Sequence, residues 1–444
     1  MGLLCMFLAD REARWTIYAG VAILGLILIM IAPAKQRLLT AIFIMSFQVD
    51  VYLRFYFGRS MNQEGFAFPL VVIAGAALLA WYASAGRLRQ FRWAGSMAMP
   101  ILALFATTIV SLLTSSERFI GLSQLWSRLE LYFLYWLALN LCQSQEDFKR
   151  ILKLLFFTLA AQSIIYFIQS SLGISFDLTG NTIEQGAIPR PGGTVSTNPA
   201  GFASFIMPPL LIAVAMVMTK ETFFPRRYIL LVMVLGIAAI GMTFTRAAWI
   251  GFALGAVTIF ILGCRRRVIR GGMFLWLVAI AVVAGAILLP TMMTRIAGDY
   301  AGGSSNVATW EERFGLMQVA MNVIAENPIL GIGPGAYSQV FKGFVPSGMD
   351  QWLFTVHNEF LLRAAESGIP GAIAFIALLV VGFRVASRLG RTTPSFISIS
   401  ALGWSGALVA LIWQMNCVPW TGWSYNAMLW FMLGLMDGAQ RLRD

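Results

Sequence analysis

Val356-His-Asn-Glu-Phe-Leu-Leu-Arg-Ala-Ala-Glu-Ser-Gly-Ile-Pro370 begins polar and leads into an apolar run, 369–387, long enough to cross a bilayer. The polar part reads as a short helix beginning near Thr355 and ending at Gly368-Ile-Pro370, a glycine stop with a proline soon after. Glu359 and Arg363 stand four residues apart in the favourable order for a helical ion pair. His357 falls in the first turn of this helix, and it is the single histidine in 444 residues.

Outward from this stretch the chain is dominated by similar apolar runs. Hydrophobic residues make up 59% and charged residues 12%, where a soluble domain carries about a quarter charged. The fold class is therefore all-α, a polytopic membrane bundle of 12–13 helices. Candidate spans lie near 15–33, 38–57, 66–84, 97–114, 125–142, 149–171, 199–219, 227–244, 247–263, 273–290, 369–387, 397–415 and 421–438. The first lacks a small-residue cleavage site and reads as a span or anchor. Three regions follow: an N-terminal bundle over 1–290 with a loop at 172–198, a large loop over 291–368, and C-terminal spans over 369–444.

Basic clusters alternate between spans. Lys35/Arg37, Arg87/Arg89/Arg92, Lys149/Arg150/Lys153, Lys220/Arg226/Arg227, Arg265–Arg267 with Arg270, Arg384/Arg388/Arg391 and Arg441/Arg443 fall on one side, 20 basic residues against five acids. The other side, from Asp50 onward, holds ten basic residues and 13 acids. The positive-inside rule makes the first side cytoplasmic. Thirteen full spans put the N-terminus outside, whereas Arg11 and Arg14 argue for inside, so 15–33 need not be a simple span. Nucleic acid is excluded as a partner because topology accounts for the basic clusters. Cys5, Cys142, Cys264 and Cys417 show neither disulfide nor metal spacing.

Within the large loop, Thr309-Trp-Glu-Glu312 reads as a capping box. Phe314, Met317, Met321 and Ile324 follow at helical spacing opposite Glu311, Gln318 and Asn322, which predicts an amphipathic helix lying on the membrane surface. Glu326-Asn-Pro-Ile-Leu-Gly-Ile-Gly-Pro-Gly-Ala-Tyr337 then forms a glycine-rich turn.

Three residues on the non-cytoplasmic side are candidates for chemistry. His357 at a helix start is kept neutral by the helix dipole and able to accept a proton; the alternative is a surface histidine without a role. Arg246, in Thr243-Phe-Thr-Arg-Ala-Ala-Trp249, either snorkels to headgroups or faces the bundle to bind an anion. Arg190, in Pro189-Arg-Pro-Gly-Gly-Thr194, combines a guanidinium with glycines whose N–H groups can approach an anion, although such loops are common. One base and two arginines on one face suggest a phosphorylated lipid or sugar. The sequence has no P-loop, no dinucleotide fingerprint, no HExxH and no Asp-x-Asp pair near the outer face.

Asn327-Pro-Ile-Leu-Gly-Ile-Gly-Pro-Gly-Ala-Tyr337, His357-Asn-Glu-Phe-Leu and Glu366-Ser-Gly-Ile-Pro-Gly371 together resemble the C-terminal region of the O-antigen ligase/polymerase superfamily. The Arg190 and Arg246 segments sit where that family carries its other functional arginines. The resemblance covers roughly 15–438 in architecture, with motifs confined to 186–200, 243–250 and 326–371, and within the superfamily it is strongest to the ligases. It implies twelve spans with both termini cytoplasmic, in the inner membrane, with the active site facing the periplasm. It also implies metal- and cofactor-independent, inverting transfer of O-antigen from undecaprenyl pyrophosphate to a sugar of lipid A–core. His357 then acts as the base, Arg190 and Arg246 bind pyrophosphate, and Asn358, Arg363 and Tyr337 support them. An O-antigen polymerase, a protein O-oligosaccharyltransferase and a lipid-linked oligosaccharide transporter are the alternatives; a nearly uncharged midplane counts against the last.

Overall fold

Pro199–Met218 is the helix around which the others are arranged. Asn198 caps it by accepting the Ala200 N–H at 2.8 Å, Pro199 opens it, and every residue from Ala200 to Met218 is buried. The computed structural model describes residues 34–49, 51–55, 66–176, 182–184, 190–196, 198–219, 223–269, 272, 310–345, 355–391, 394–418, 420 and 422–443.

In chain order the helices are α1 (Lys35–Ser46), α2 (Leu70–Ser84), α3 (Ala98–Thr114), α4 (Arg118–Leu141), α5 (Gln145–Leu172), α6 (Pro199–Met218), α7 (Arg226–Met242) and α8 (Arg246–Arg265). There follow α9 (Trp310–Glu326), α10 (Tyr337–Val340), α11 (Glu359–Leu389), α12 (Phe396–Met415) and α13 (Trp423–Gly438). The protein is all-α and polytopic. Five of these helices (α5, α6, α8, α11 and α12) are long and apolar enough to cross a membrane.

Helix α6 is surrounded by α5, α7, α8, α12 and α13, while α13 packs on α4 and α3 on α11. Small residues permit the closest crossings. A Cβ at Gly255 in α8 would lie 2.8 Å from the Gly406 carbonyl of α12, and one at Gly403 would lie 2.5 Å from the Ile212 Cα of α6.

Several expected spans differ from what forms. The run 38–57 is not one helix: α1 stops at Ser46, and Tyr52–Phe55 pairs antiparallel with Phe66–Pro69. Twelve helical residues cover only about 18 Å of a hydrocarbon layer about 30 Å thick. The expected span at 66–84 likewise opens as a strand and turns helical at Leu70. A second short pair joins Ile174–Phe176 to Thr182–Glu184. Helix α4 begins at Arg118 rather than 125, and Glu130 is buried in its middle. The spans at 15–33 and 273–290, Asp50, and Thr309 of the capping box lie outside the described residues.

The helix α9 is present, but the face that packs inward is rotated from the expected stripe. Leu316, Val319, Ala320 and Val323 are buried together with Ile324 of that stripe, Met317 is half-buried against them, and Phe314 and Met321 are exposed.

Candidate active site

The helix expected from Thr355 starts later. Asn358 is the N-cap of α11, its carboxamide oxygen accepting the Phe360 and Leu361 N–H groups at 3.0 Å each. His357 therefore precedes the cap and is not in the first turn. Threonine and asparagine both favour the cap position, and here Asn358 takes it rather than Thr355. Asn358 also donates from Nδ2 to Asn416 Oδ1 at 3.2 Å, fixing the His357 segment to the end of α12.

His357 is half-buried, and its Nδ1 has no hydrogen-bond partner among the described residues. Burial, then the positive charge of Arg313, holds the imidazole below its ordinary pKa, with the Thr355 backbone opposing. The expectation put this effect in the helix dipole; in the structure the lowering comes from desolvation and a neighbouring cation. The same Arg313 charge acts on Cys417, whose thiol is raised by burial and partly lowered by the arginine. Arg313 is thus near both the His357 segment and the chain following α12, with Nε buried and without a partner among the described residues. Arg313 stands one residue before the expected stripe of α9, and the spacing of that stripe does not mark it.

Behind His357 the short helix breaks as expected. Ser367 and Gly368 are non-helical, with Gly368 at φ 71°, and α11 resumes beyond them. The glycine-rich turn docks onto this break by backbone. Ile332 N–H donates to the Ala365 carbonyl at 2.9 Å, Gly333 N–H to that of Glu366 at 3.0 Å, and Ile369 N–H to that of Pro328 at 2.8 Å. Carbonyls that a helix end leaves without partners are satisfied in this way. Gly331, Gly333 and Gly335 take φ of 69°, 110° and 75°, and a Cβ at Gly331 would lie 2.4 Å from the Glu366 backbone.

Of the supporting candidates, Arg363 Nε donates to Glu359 Oε1 at 2.6 Å, and its guanidinium lies 5.0 Å from the Phe375 ring centre. The expected ion pair is present, with Glu359 buried and Arg363 half-buried. Tyr337 is buried and stacks on Phe341, and its hydroxyl has no partner among the described residues. Burial, reinforced by the Glu366 charge, pushes that hydroxyl above its usual pKa.

The two other arginines come together at the α7–α8 turn. Arg190 Nε donates to the Thr243 carbonyl at 2.9 Å and Nη2 to Thr245 Oγ1 at 3.4 Å; Arg246 is the first residue of α8 and is exposed. Phe244 between them is held at φ 49°, a left-handed conformation worth about 1–3 kcal/mol of strain in a non-glycine residue. The loop after Arg190 turns inward. Gly192, Gly193 and Thr194 are buried, and the Thr194 N–H is directed at Gln162 Oε1 (3.3 Å). These glycines therefore face protein.

No described contact joins His357 directly to Arg190 or Arg246, but they share one end of the bundle. A Cβ at Gly251, one and a half turns into α8, would lie 2.9 Å from the Ala410 carbonyl of α12, and α12 ends at the Asn416 that holds Asn358.

This arrangement defines a membrane-embedded bundle with an imidazole, held below its ordinary pKa by burial, and three arginines at one end. The O-antigen ligase family model matches residues 231–376, about a third of the chain, from within α7 to within α11. That stretch includes Arg246, Arg313, the glycine turn and His357; it supports membership of the O-antigen ligase/polymerase superfamily. Arg190 lies outside it. A search among curated proteins finds no match.

Proposed function

We propose that the protein is an O-antigen ligase, transferring O-antigen polysaccharide from undecaprenyl pyrophosphate to a sugar hydroxyl of lipid A–core. The site end faces the periplasm, as the distribution of basic residues argues. The observation that carries the proposal is the single imidazole of the chain, half-buried within the electrostatic reach of Arg313, with an Nδ1 that has no hydrogen-bond partner among the described residues.

In the reaction, His357 takes the proton of the acceptor hydroxyl as its oxygen bonds to the anomeric carbon of the donor. The bond from that carbon to the pyrophosphate oxygen breaks with inversion, and the lipid pyrophosphate leaves. Arg190, Arg246 and Arg313 bind the pyrophosphate and stabilise the charge that develops on it. A pyrophosphate is already an activated leaving group, so proton removal and anion binding are the protein's tasks. General-base assistance of this kind contributes about 10²–10⁴-fold. Asn358 orients the His357 segment.

An O-antigen polymerase uses the same donor with a second lipid-linked glycan as acceptor, and the family match accommodates it. Lipopolysaccharide from a deletion strain separates the two. A ligase defect leaves core without O-antigen and accumulates lipid-linked polymer. Core bearing a single repeat unit would instead identify a polymerase.

A further inference from the structure

Four charged side chains are packed inside the bundle next to the helix that follows His357. Glu359, Arg363 and Glu366 recur at i, i+4 and i+7 along α11, and so lie on one face. That face meets Arg128 of α4, whose Nη2 is 3.9 Å from Glu366 Oε2 and whose Nη1 donates to the Thr108 hydroxyl of α3. Glu366 accepts the Gly335 N–H at its carboxylate and the Ser111 hydroxyl at its carbonyl, the latter at 2.6 Å. Glu359 is 2% exposed and takes Arg363 at 2.6 Å and the Trp420 N–H. Two cations and two anions balance, and the group joins α3, α4, α11, the glycine turn and the segment after α12.

Burying four charges gives little net stability. A buried pair is often replaceable by apolar side chains at no cost, although removing one partner is expensive. What such a group does supply is geometry, because each charge accepts few positions. Glu359 follows the N-cap, and Trp420 lies on the segment that also carries Asn416 and Cys417, beside Arg313.

We infer that the Arg128–Glu359–Arg363–Glu366 quartet is a positioning device: it sets the start of α11, and with it the place of His357 relative to Arg313. Its residues do not touch substrate. The inference rests on His357 being the base, but its first test needs no substrate. Because the chain has one histidine, tag-free protein labelled in histidine gives a single imidazole signal by NMR, and that signal reports the surroundings of His357.

The variant to make is the double Glu359→Leu, Arg363→Met, which removes a pair without leaving a lone charge. We expect thermal stability near wild type, a moved or broadened imidazole signal, and kcat lowered at least about tenfold with donor KM unchanged. Rescue is expected from Arg363→Lys alone, which keeps the cation and should retain most of kcat. Glu359→Gln serves if the double variant is not recovered, since it keeps the shape and loses the charge; an intermediate loss of kcat with a moved signal is expected. An unmoved signal and kcat within twofold of wild type in either variant would overturn the inference. A moved signal together with undiminished transfer by His357→Ala would instead leave the positioning intact and remove the base assignment.

Discussion

The glycine-rich stretches 190–196 and 327–335 have similar residue types, yet they are held by different forces. The second is held by backbone. Its N–H groups meet carbonyls at the α11 break, and three of its glycines adopt positive φ. The first is held mainly by side chains. Thr194 Oγ1 donates to the Gln48 carbonyl and accepts from Gln162 Nε2, each at 2.7 Å, and Gln169 Nε2 donates to the Gly193 carbonyl at 3.1 Å. Neither turn tolerates a side chain at its glycines, since a Cβ at Gly192 would lie 1.8 Å from the Ser196 carbonyl and Gly193 has φ 67°. What differs is the anchor, which for the first turn is the pair of buried amides Gln162 and Gln169 on α5. Glycine content alone does not distinguish a backbone clasp from a loop carried by its neighbours.

The largest effect is expected where backbone meets backbone. A Cβ at Gly368 would lie 2.0 Å from the Ile329 carbonyl at φ 71°, so Gly368→Ala should cost at least about 3 kcal/mol or abolish folded protein in detergent. Recovery of normal yield and melting temperature would show that the clasp is not needed. Gln162→Leu attacks the other loop, leaving Thr194 and Gln48 groups without a partner at about 1–3 kcal/mol each. Because this loop carries Arg190, transfer activity should fall further than the melting temperature implies. Gly86 calibrates both results. It has φ 67° but nothing within 4 Å of its missing Cβ, so Gly86→Ala should cost about 1 kcal/mol from backbone strain alone.

The pH dependence distinguishes the His357 end from both loops. Folding lowers the His357 pKa, chiefly by burial. The unfolded chain therefore takes up a proton near pH 6.5 that the folded chain resists. Stability contributed by the neutral imidazole is complete above that pH and falls as pH drops through it, levelling once the folded form protonates. The acid limb of kcat/KM should accordingly lie below pH 6.5. Removing the cation with Arg313→Met should move this limb to higher pH, since the second cause of the depression is lost. A limb unmoved by that variant would place Arg313 too far from the ring to matter.

Much of the bundle was legible because apolar length is a local property. The runs 97–114, 149–171, 199–219, 227–244, 247–263, 397–415 and 421–438 all form helices close to their expected limits. The hairpin at 52–55 and 66–69 was not legible, because a short apolar run reads equally as strand or helix. At the site, the break at Gly368 and the Glu359–Arg363 pair followed from spacing. Arg128 did not, because its acidic partners lie more than 230 positions away and nothing in its own surroundings names them. Arg313 was hidden for a different reason: the expected stripe of α9 is only partly the buried one, which runs through Leu316, Val319, Val323 and Ile324, and Arg313 belongs to neither pattern.

Transfer from lipid-linked O-antigen to lipid A–core by purified His357→Ala, compared with wild type at equal folded protein, tests the base assignment most directly. The site geometry predicts a loss of about 10²–10⁴-fold in kcat, with the melting temperature and donor binding little changed. Activity near wild type would contradict it.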